Sequence, residues 1–268
     1  MVDLLSKVKR YINRKMYLFF GVKFLEGHFS YTNYLLLKKD LKTLEKQSSK
    51  VNYDFPILSL SPCYRDKYED AGTLSYHYFF QDLIVAKKIF KNNPIRHVDI
   101  GSRIDGFVAH LASFREVEVW DIRPLANNIP NVKFRQFDIM NSDRICEGEL
   151  DSISCLHALE HFGLGRYGDP ICYDGFYVGF VNMTKVLKKE GVLYLSVPIG
   201  KQRIEFNMHR VFSLKFLLDM VSSFYVLKSI SVIDDQNMLH EDVELTNSNI
   251  DTNFDCDFGC VILELIKM

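Results

Sequence analysis

No apolar run in this 268-residue chain is long enough to cross a bilayer, so a membrane-embedded or secreted protein is not expected. Cysteine is sparse and unpatterned. Cys63, Cys146, Cys155, Cys172, Cys256 and Cys260 form no Cys-x-x-Cys pair and no zinc-finger spacing, which argues for reduced thiols in the cytoplasm. Close spacing of metal-ligating side chains is also lacking, and no metal is expected. The net charge of -1 shows no overall excess of either sign.

What is present is a 47% hydrophobic chain, enough for a full core, with charge unevenly divided. Residues 1–50 hold eleven Lys and Arg against four Asp and Glu, and the remainder holds 22 against 30. The body is therefore acidic and would repel phosphate backbones, so nucleic acid is not an expected partner. Within the basic arm, Leu4, Leu5, Val8, Tyr11 and Ile12 recur at helical spacing between Lys7, Lys9, Arg10, Arg14 and Lys15. Such a helix suits docking on its own body, on a second subunit in a homo-oligomer, or on an anionic surface. From Gln47 to Ser75 the chain is polar and turn-rich, with Pro56 and Pro62 breaking any helix. The expected division is a helical arm and linker at 1–75 and a second domain at 76–268.

That second domain carries the chemistry. His97-Val-Asp-Ile-Gly-Ser-Arg-Ile-Asp-Gly106 reads as a buried strand breaking into a glycine turn, followed by a helix over Phe107 to Ser113 that Gly106 lets pack on the strand. A pyrophosphate would want bare N–H groups there, yet Asp99 and Asp105 are acidic. Acids suit an ammonium or sulfonium centre, and S-adenosylmethionine has both. Taken alone, the turn also fits a purely structural bend. Val117-Glu-Val-Trp-Asp121 is a second strand, ending about twenty residues beyond Gly101, where a carboxylate meets ribose hydroxyls. Val132 to Asp138 is a third, with Asp138 placed for an adenine amino group. Leu150 to Leu156 and Gly191 to Pro198 are a fourth and fifth, separated by a helical segment from Gly175 to Leu187. Alternation of this kind means a parallel sheet covered on both faces, with ligands at the strands' carboxyl ends.

Asp99-Ile-Gly101 with Gly106, Asp121, Asp138 and Leu156-His-Ala-Leu-Glu-His161 together resemble the motif series of class I S-adenosylmethionine-dependent methyltransferases. Four blocks, Tyr78 to Asp82, Asp99 to Phe107, Glu160 to Pro170 and Phe206 to Arg210, resemble a methyltransferase-like family of unknown function. Some members of that family sit among surface-polysaccharide genes. The resemblance implies a Rossmann-like, doubly wound, mostly parallel seven-stranded sheet whose last strand is antiparallel, behind an N-terminal helical extension. It implies that the turn, with Gly101, Ser102, Arg103 and Asp105, holds the cofactor, although Arg103 and Asp105 stand where that class usually has glycines. It also implies that a helix from Tyr76 to about Lys91 covers the cofactor's methionine end with Tyr78, Gln81 and Asp82.

Methyl transfer needs an aligned nucleophile and, for a hydroxyl, a base. His161 and His209 follow strand ends and are the candidate bases, while His157, at a strand tip, is expected against the adenine. Gly163, Gly165 and Gly168 describe an irregular loop presenting Glu160, Arg166 and Tyr167 to a substrate. Arg203, Asn207 and Arg210 form a second polar cluster, and the arginines suit a phosphate or carboxylate. Pinning of the two loops together is the alternative for Arg210. Ser213 is an N-cap for a helix over Leu214 to Val221. Phe224 to Ile233 and Cys260 to Lys267 complete the strands, and between them Asp234 to Gly259 has eight acids and no Lys or Arg, which reads as a solvated loop. Two functions stay open: methylation of a small polar acceptor, a sugar or phosphorylated or nucleotide-linked precursor of capsule or lipopolysaccharide on the strength of the resemblance, or a non-catalytic Rossmann-like binding module.

Overall fold

The computed structural model describes residues 31–48, 50, 55–60, 63, 71–72, 74, 76–141, 143, 145 and 147–268. The chain divides into two compact units, Met1–Thr73 and Leu74–Met268. In the first, helix α1 (Tyr31–Ser48) supplies a helical extension. The amphipathic segment at residues 4–15, Cys146 and most of the proline-bearing linker lie outside the described residues. None of the described helices is long and apolar enough to cross a membrane.

The second unit begins with α2 (Tyr76–Asn92) and β1 (His97–Ile100). A π-turn (Ile104–Val108), α3 (Ala109–Ala112), β2 (Val117–Asp121), β3 (Val132–Gln136) and β4 (Leu150–Leu156) follow. Next come a 3-10 turn (Leu159–His161), α4 (Gly175–Val186), β5 (Leu187–Ile199), the hairpin β6 (Arg203–Glu205) and β7 (His209–Val211), and α5 (Leu214–Ser222). The chain ends with β8 (Tyr225–Ile233), β9 (Leu239–His240), α6 (Asn247–Asp251) and β10 (Gly259–Lys267). The main sheet runs β3-β2-β1-β4-β5-β10-β8-β9, with β1 to β5 parallel and β10 antiparallel to both β5 and β8. The expected Rossmann-like sheet is therefore present, its seven long strands joined at the edge by the two-residue β9.

Parallel strands covered on both faces are buried along their length, as all four positions of β1 illustrate. One face packs against Ile84, Val85 and Ile89 of α2 with Phe107 and Leu111, and the other against Phe180 and Met183 of α4 with Leu214 and Leu217 of α5. Ser213 caps α5 as expected, accepting from Phe216 N.

Three details differ from the sequence expectations. β5 starts four residues early because residues 188–191 bulge between the pairs Leu150 with Leu187 and Ser152 with Val192. Gly106 makes room for Asp82 of α2 and not for β1, since a Cβ there would stand 3.1 Å from Asp82 Oδ2. The acidic stretch is also built rather than loose: it contains β9 and α6, and Asp235 accepts the backbone N–H groups of Asp257 and Phe258.

Glu264 ties the antiparallel edge to α2. Only 4% exposed on β10, it accepts from Lys228 Nζ at 2.8 Å, Asn92 Nδ2 at 3.0 Å, and Lys88 Nζ and Ser229 Oγ at 3.1 Å. Burial pushes its carboxyl up, but these donors outweigh burial and hold it at about 2, below its ordinary 4.5. A depressed carboxyl stabilises the fold above its unfolded value and loses that contribution as pH falls through its folded value. The urea midpoint is therefore expected to decline between pH about 4.5 and 2, less steeply in Glu264→Gln; equal slopes in the two proteins would contradict this assignment.

Candidate functional site

The carboxyl ends of β1, β2, β3 and β4 border an open crevice lined by Gly101, Asp121, Asp138, His157, His161 and Tyr167. Gly101 stands at its floor. With φ at +74° and Ala158 Cβ only 3.0 Å from where a side chain would begin, that position accepts glycine alone without strain. The turn is held by Asp99, fully buried at the end of β1, which accepts from Ser154 Oγ at 2.6 Å, Ser102 Oγ at 2.8 Å and Ser102 N at 3.1 Å. Burial pushes Asp99 up to about 6 against the pull of these hydrogen bonds. Asp99 and Ser102 thus shape the turn from behind and do not line the crevice, a correction to their expected direct contact. Arg103 and Asp105 are exposed and paired with each other at 2.7 Å, because with no glycine at either position two opposite charges face the same solvent.

Asp121 and Asp138 both line the crevice. Asp138 accepts Met140 N and is half-buried. Asp121 is held in a fork by Arg123, whose Nη2 is 2.6 Å from Oδ2 and whose Nε is 3.0 Å from Oδ1. That arginine also lies over the Tyr167 ring at 4.5 Å. Sequence reasoning missed Arg123; its only signal was its place two residues after the acid.

Behind β4 sits a histidine cluster. His157, with φ at +48°, donates or accepts through Nδ1 with Glu160 Oε1 at 2.8 Å. Glu160 is 1% exposed, so it does not face a substrate as expected: burial raises its carboxyl, and His157 beside it outweighs burial and holds it below its ordinary value. His161 lines the crevice. Its Nδ1 is 2.7 Å from the carbonyl oxygen of Met208, which can only accept, so Nδ1 carries the proton and Nε2 keeps a lone pair. Burial lowers its pKa more than Glu160, 3.7 Å from Nε2, raises it. His209 does not line the crevice. It sits on β7 with its ring against Phe258 at 5.1 Å and its Nε2 buried without a hydrogen bond, 3.5 Å from Glu205. Packing between hairpin and aromatic wall is what places it there, so the two expected bases are not equivalent.

The remaining expectations divide in the same way. Gln81 and Asp82 are buried: Gln81 accepts from Ser196 Oγ and donates to Asp82 Oδ1, and burial pushes Asp82 up to about 7. Tyr78 lays its ring 5.1 Å from that of His157. Arg166 and Tyr167 stay on the open side: Arg166 donates to Met208 O at 3.0 Å and lies 5.1 Å over the Tyr167 ring. Arg203 pairs with Glu205 and donates to Asp257 O, and Asn207 is exposed at the hairpin tip. Arg210 is the largest correction. Only 4% exposed, it donates to the carbonyls of Phe162 at 2.6 Å, Tyr173 at 2.9 Å, Glu160 at 3.3 Å and Cys172 at 3.5 Å. It pins the flanks of the glycine loop to the hairpin through backbone oxygens, which occupies both of its terminal nitrogens.

The fold is that of a methyltransferase class. The 1,6-didemethyltoxoflavin-N1-methyltransferase of Burkholderia thailandensis, crystallised with 1,6-didemethyltoxoflavin and S-adenosylhomocysteine, superposes over 71% of this chain and 79% of its own, with a TM-score of 0.50 at 12% identity. The N-methyltransferase NodS of Bradyrhizobium japonicum, in complex with S-adenosylhomocysteine, matches 72% of this chain and 88% of its own (TM-score 0.48, 12% identity). A methyltransferase-like structure from Bacillus halodurans matches 68% and 97% (TM-score 0.46, 14% identity). No curated protein matches the sequence. The family model described as "Caenorhabditis protein of unknown function, DUF268" matches residues 120–261, just over half of the chain, and the chain belongs to that family.

Removing the Arg210 guanidinium leaves carbonyls of two segments without donors. Arg210→Met is expected to lower the unfolding free energy on the order of 3 kcal/mol by urea denaturation, and an unchanged midpoint would refute the pin.

Proposed function

We propose that residues 74–268 form an S-adenosylmethionine-dependent methyltransferase acting on a small polar acceptor, with His161 as the base. The observation that carries this reading is one crevice lined by Gly101, Asp121, Asp138 and a His161 whose Nδ1 lies 2.7 Å from the Met208 carbonyl. The donor set suits the cofactor: Asp121 would accept from ribose hydroxyls and Asp138 from the adenine amino group, while His157 walls the adenosine side. The α2 residues Tyr78, Gln81 and Asp82 and the turn residues Asp105 and Arg103 flank the methionine end, where the Asp82 carboxyl, raised by burial, would ionise beside a cation. When bound, the cofactor supplies a methyl group already activated by its sulfonium.

The chain's own residues then position and deprotonate. A hydroxyl acceptor loses its proton to His161 Nε2, Met208 O keeps Nδ1–H in place, and the Glu160 carboxylate steadies the imidazolium that forms. A positioned base favours an oxygen acceptor. Arg166, with Tyr167 beside it, is the arginine left to meet an anionic part of that acceptor. The resemblance of the four sequence blocks to a family found among surface-polysaccharide genes supports a sugar or phosphorylated, nucleotide-linked precursor of capsule or lipopolysaccharide, handled in the cytoplasm. Opposite charges on the first 50 residues and on 234–259 suit contact between copies of the chain.

Calorimetry with S-adenosylhomocysteine is expected to show binding that Asp121→Ala weakens roughly tenfold or more. No binding would overturn the enzyme reading and leave a Rossmann-like binding module. His161→Gln is expected to slow single-turnover methyl transfer to sugar and nucleotide-sugar acceptors by about 10²–10⁴ with cofactor affinity retained. An unaltered rate would remove His161 from the chemistry.

A further inference from the structure

We propose that His77, His157 and Cys260 form a zinc-binding site whose fourth coordination position is open. One ring nitrogen of each histidine and Cys260 Sγ lie within 4.8 Å of one another. Three distant parts of the chain converge there: the first turn of α2, the tip of β4 and the start of β10. Zinc bound at Zn–S ~2.3 Å and Zn–N ~2.0–2.1 Å holds tetrahedral donors about 3.3–3.6 Å apart, so the widest gap closes by roughly 1 Å. His77, half-buried on a helix end, has that freedom.

The donor chemistry selects the ion. A thiolate with two imidazoles is borderline soft, which suits zinc and disfavours magnesium and calcium with their oxygen ligands. His157 is also oriented as a zinc ligand is. Its Nδ1 is engaged by Glu160 Oε1 at 2.8 Å, so Nε2 is its free nitrogen, and Nε2 is buried with no hydrogen-bond partner. A carboxylate behind a ligating imidazole fixes its tautomer and raises its basicity. An orphaned buried nitrogen is otherwise unfavourable, and a metal satisfies it. Cys260, fully enclosed, places its Sγ beside the two imidazoles. Aromatic rings wall the cluster, Phe258 stacking on His77 at 5.7 Å and Tyr78 lying beside His157 at 5.1 Å.

Because His157 also lines the crevice, the ion would stand at its edge, on the side the proposed function gives to the cofactor, where an open zinc position can take a bound oxygen or sulfur. That role rests on the methyl-transfer reading; binding of the ion does not.

The full-length chain, stripped of metal and titrated with Co²⁺, is expected to develop a near-ultraviolet thiolate-to-cobalt band and the visible bands of tetrahedral cobalt, and zinc displaces the cobalt one for one. Cys260→Ser abolishes the near-ultraviolet band, Glu160→Gln weakens zinc binding about 10–100-fold with the band retained, and Cys172→Ser changes neither. A wild-type chain that is folded by circular dichroism yet gives no thiolate-to-cobalt band overturns the site, as does a band that survives in Cys260→Ser. The first result would mean a cysteine–histidine pair without metal. Since wild type alone decides that arm, misfolding of a variant cannot mask it. S-adenosylhomocysteine binding, measured on the same preparations, fails or succeeds separately.

Discussion

A carboxylate with no exposure at the end of β1 must be satisfied entirely from within, and the site follows from how Asp99 is satisfied. Ser154 donates to Asp99, so its remaining capacity is to accept, and the neighbour at 3.1 Å is His97 Nε2. That nitrogen must therefore carry its proton, leaving Nδ1 to accept from Ser152 Oγ at 2.9 Å. Burial keeps His97 neutral, its pKa lowered to about 3, which is the state this chain of donors requires. The register matches the chemistry: His97 pairs with Ser152 and Asp99 with Ser154 across β1 and β4. A slip of one residue would turn every member of the network to the wrong face. The same carboxylate draws in both Ser102 groups and so sets the turn at Gly101.

The second half of the site depends on Arg210 in a comparable way. Three glycines with positive φ leave the 163–168 loop with little regular hydrogen bonding, and a guanidinium from β7 supplies donors to the carbonyls that flank it, of Phe162 and Tyr173. Asp169 completes the loop from within, accepting Gly165 N and Tyr167 N. The hairpin gains from the same contact, because Met208 O then lies where both His161 and Arg166 reach it. The tautomer of the candidate base is thus fixed by an element that supplies no group to the crevice.

Much of this was legible in the sequence where physical periodicity is strong. Short strand-like runs alternating with helical segments gave away the parallel strands, acids at their ends marked Asp121 and Asp138, and clustered glycines marked an irregular loop. What stayed hidden was which polar side chains are used up by the protein itself. Arg203, Arg210 and Glu160 looked like ligand contacts because their residue types are, but Arg210 meets carbonyls from 37 to 50 positions away, and no local pattern announces that. His161 and His209 were indistinguishable by spacing, and only the side of the hairpin on which each lies separates them. His77, Cys260 and His157 escaped as a cluster because their separations follow from sheet order and not from any repeat.

The Asp121 and Arg123 fork sets a constraint on whatever enters the crevice. A charge-assisted bidentate pair is worth about 1.5–3 kcal/mol when enclosed, but Arg123 is 43% exposed, which screens the pair toward about 1 kcal/mol. A ribose diol replaces those bonds with neutral donors, so about that much must come from elsewhere, close to a tenfold handicap in affinity. Arg123 can recover part of it, because released from the carboxylate it still has the Tyr167 face. Tyr167 lies between the Arg123 side and the Arg166 side, within ring contact of His161 at 5.4 Å. Arg123, Arg166 and His161 thus meet on one aromatic ring, so a move of Arg123 off Asp121 would be felt first at Tyr167.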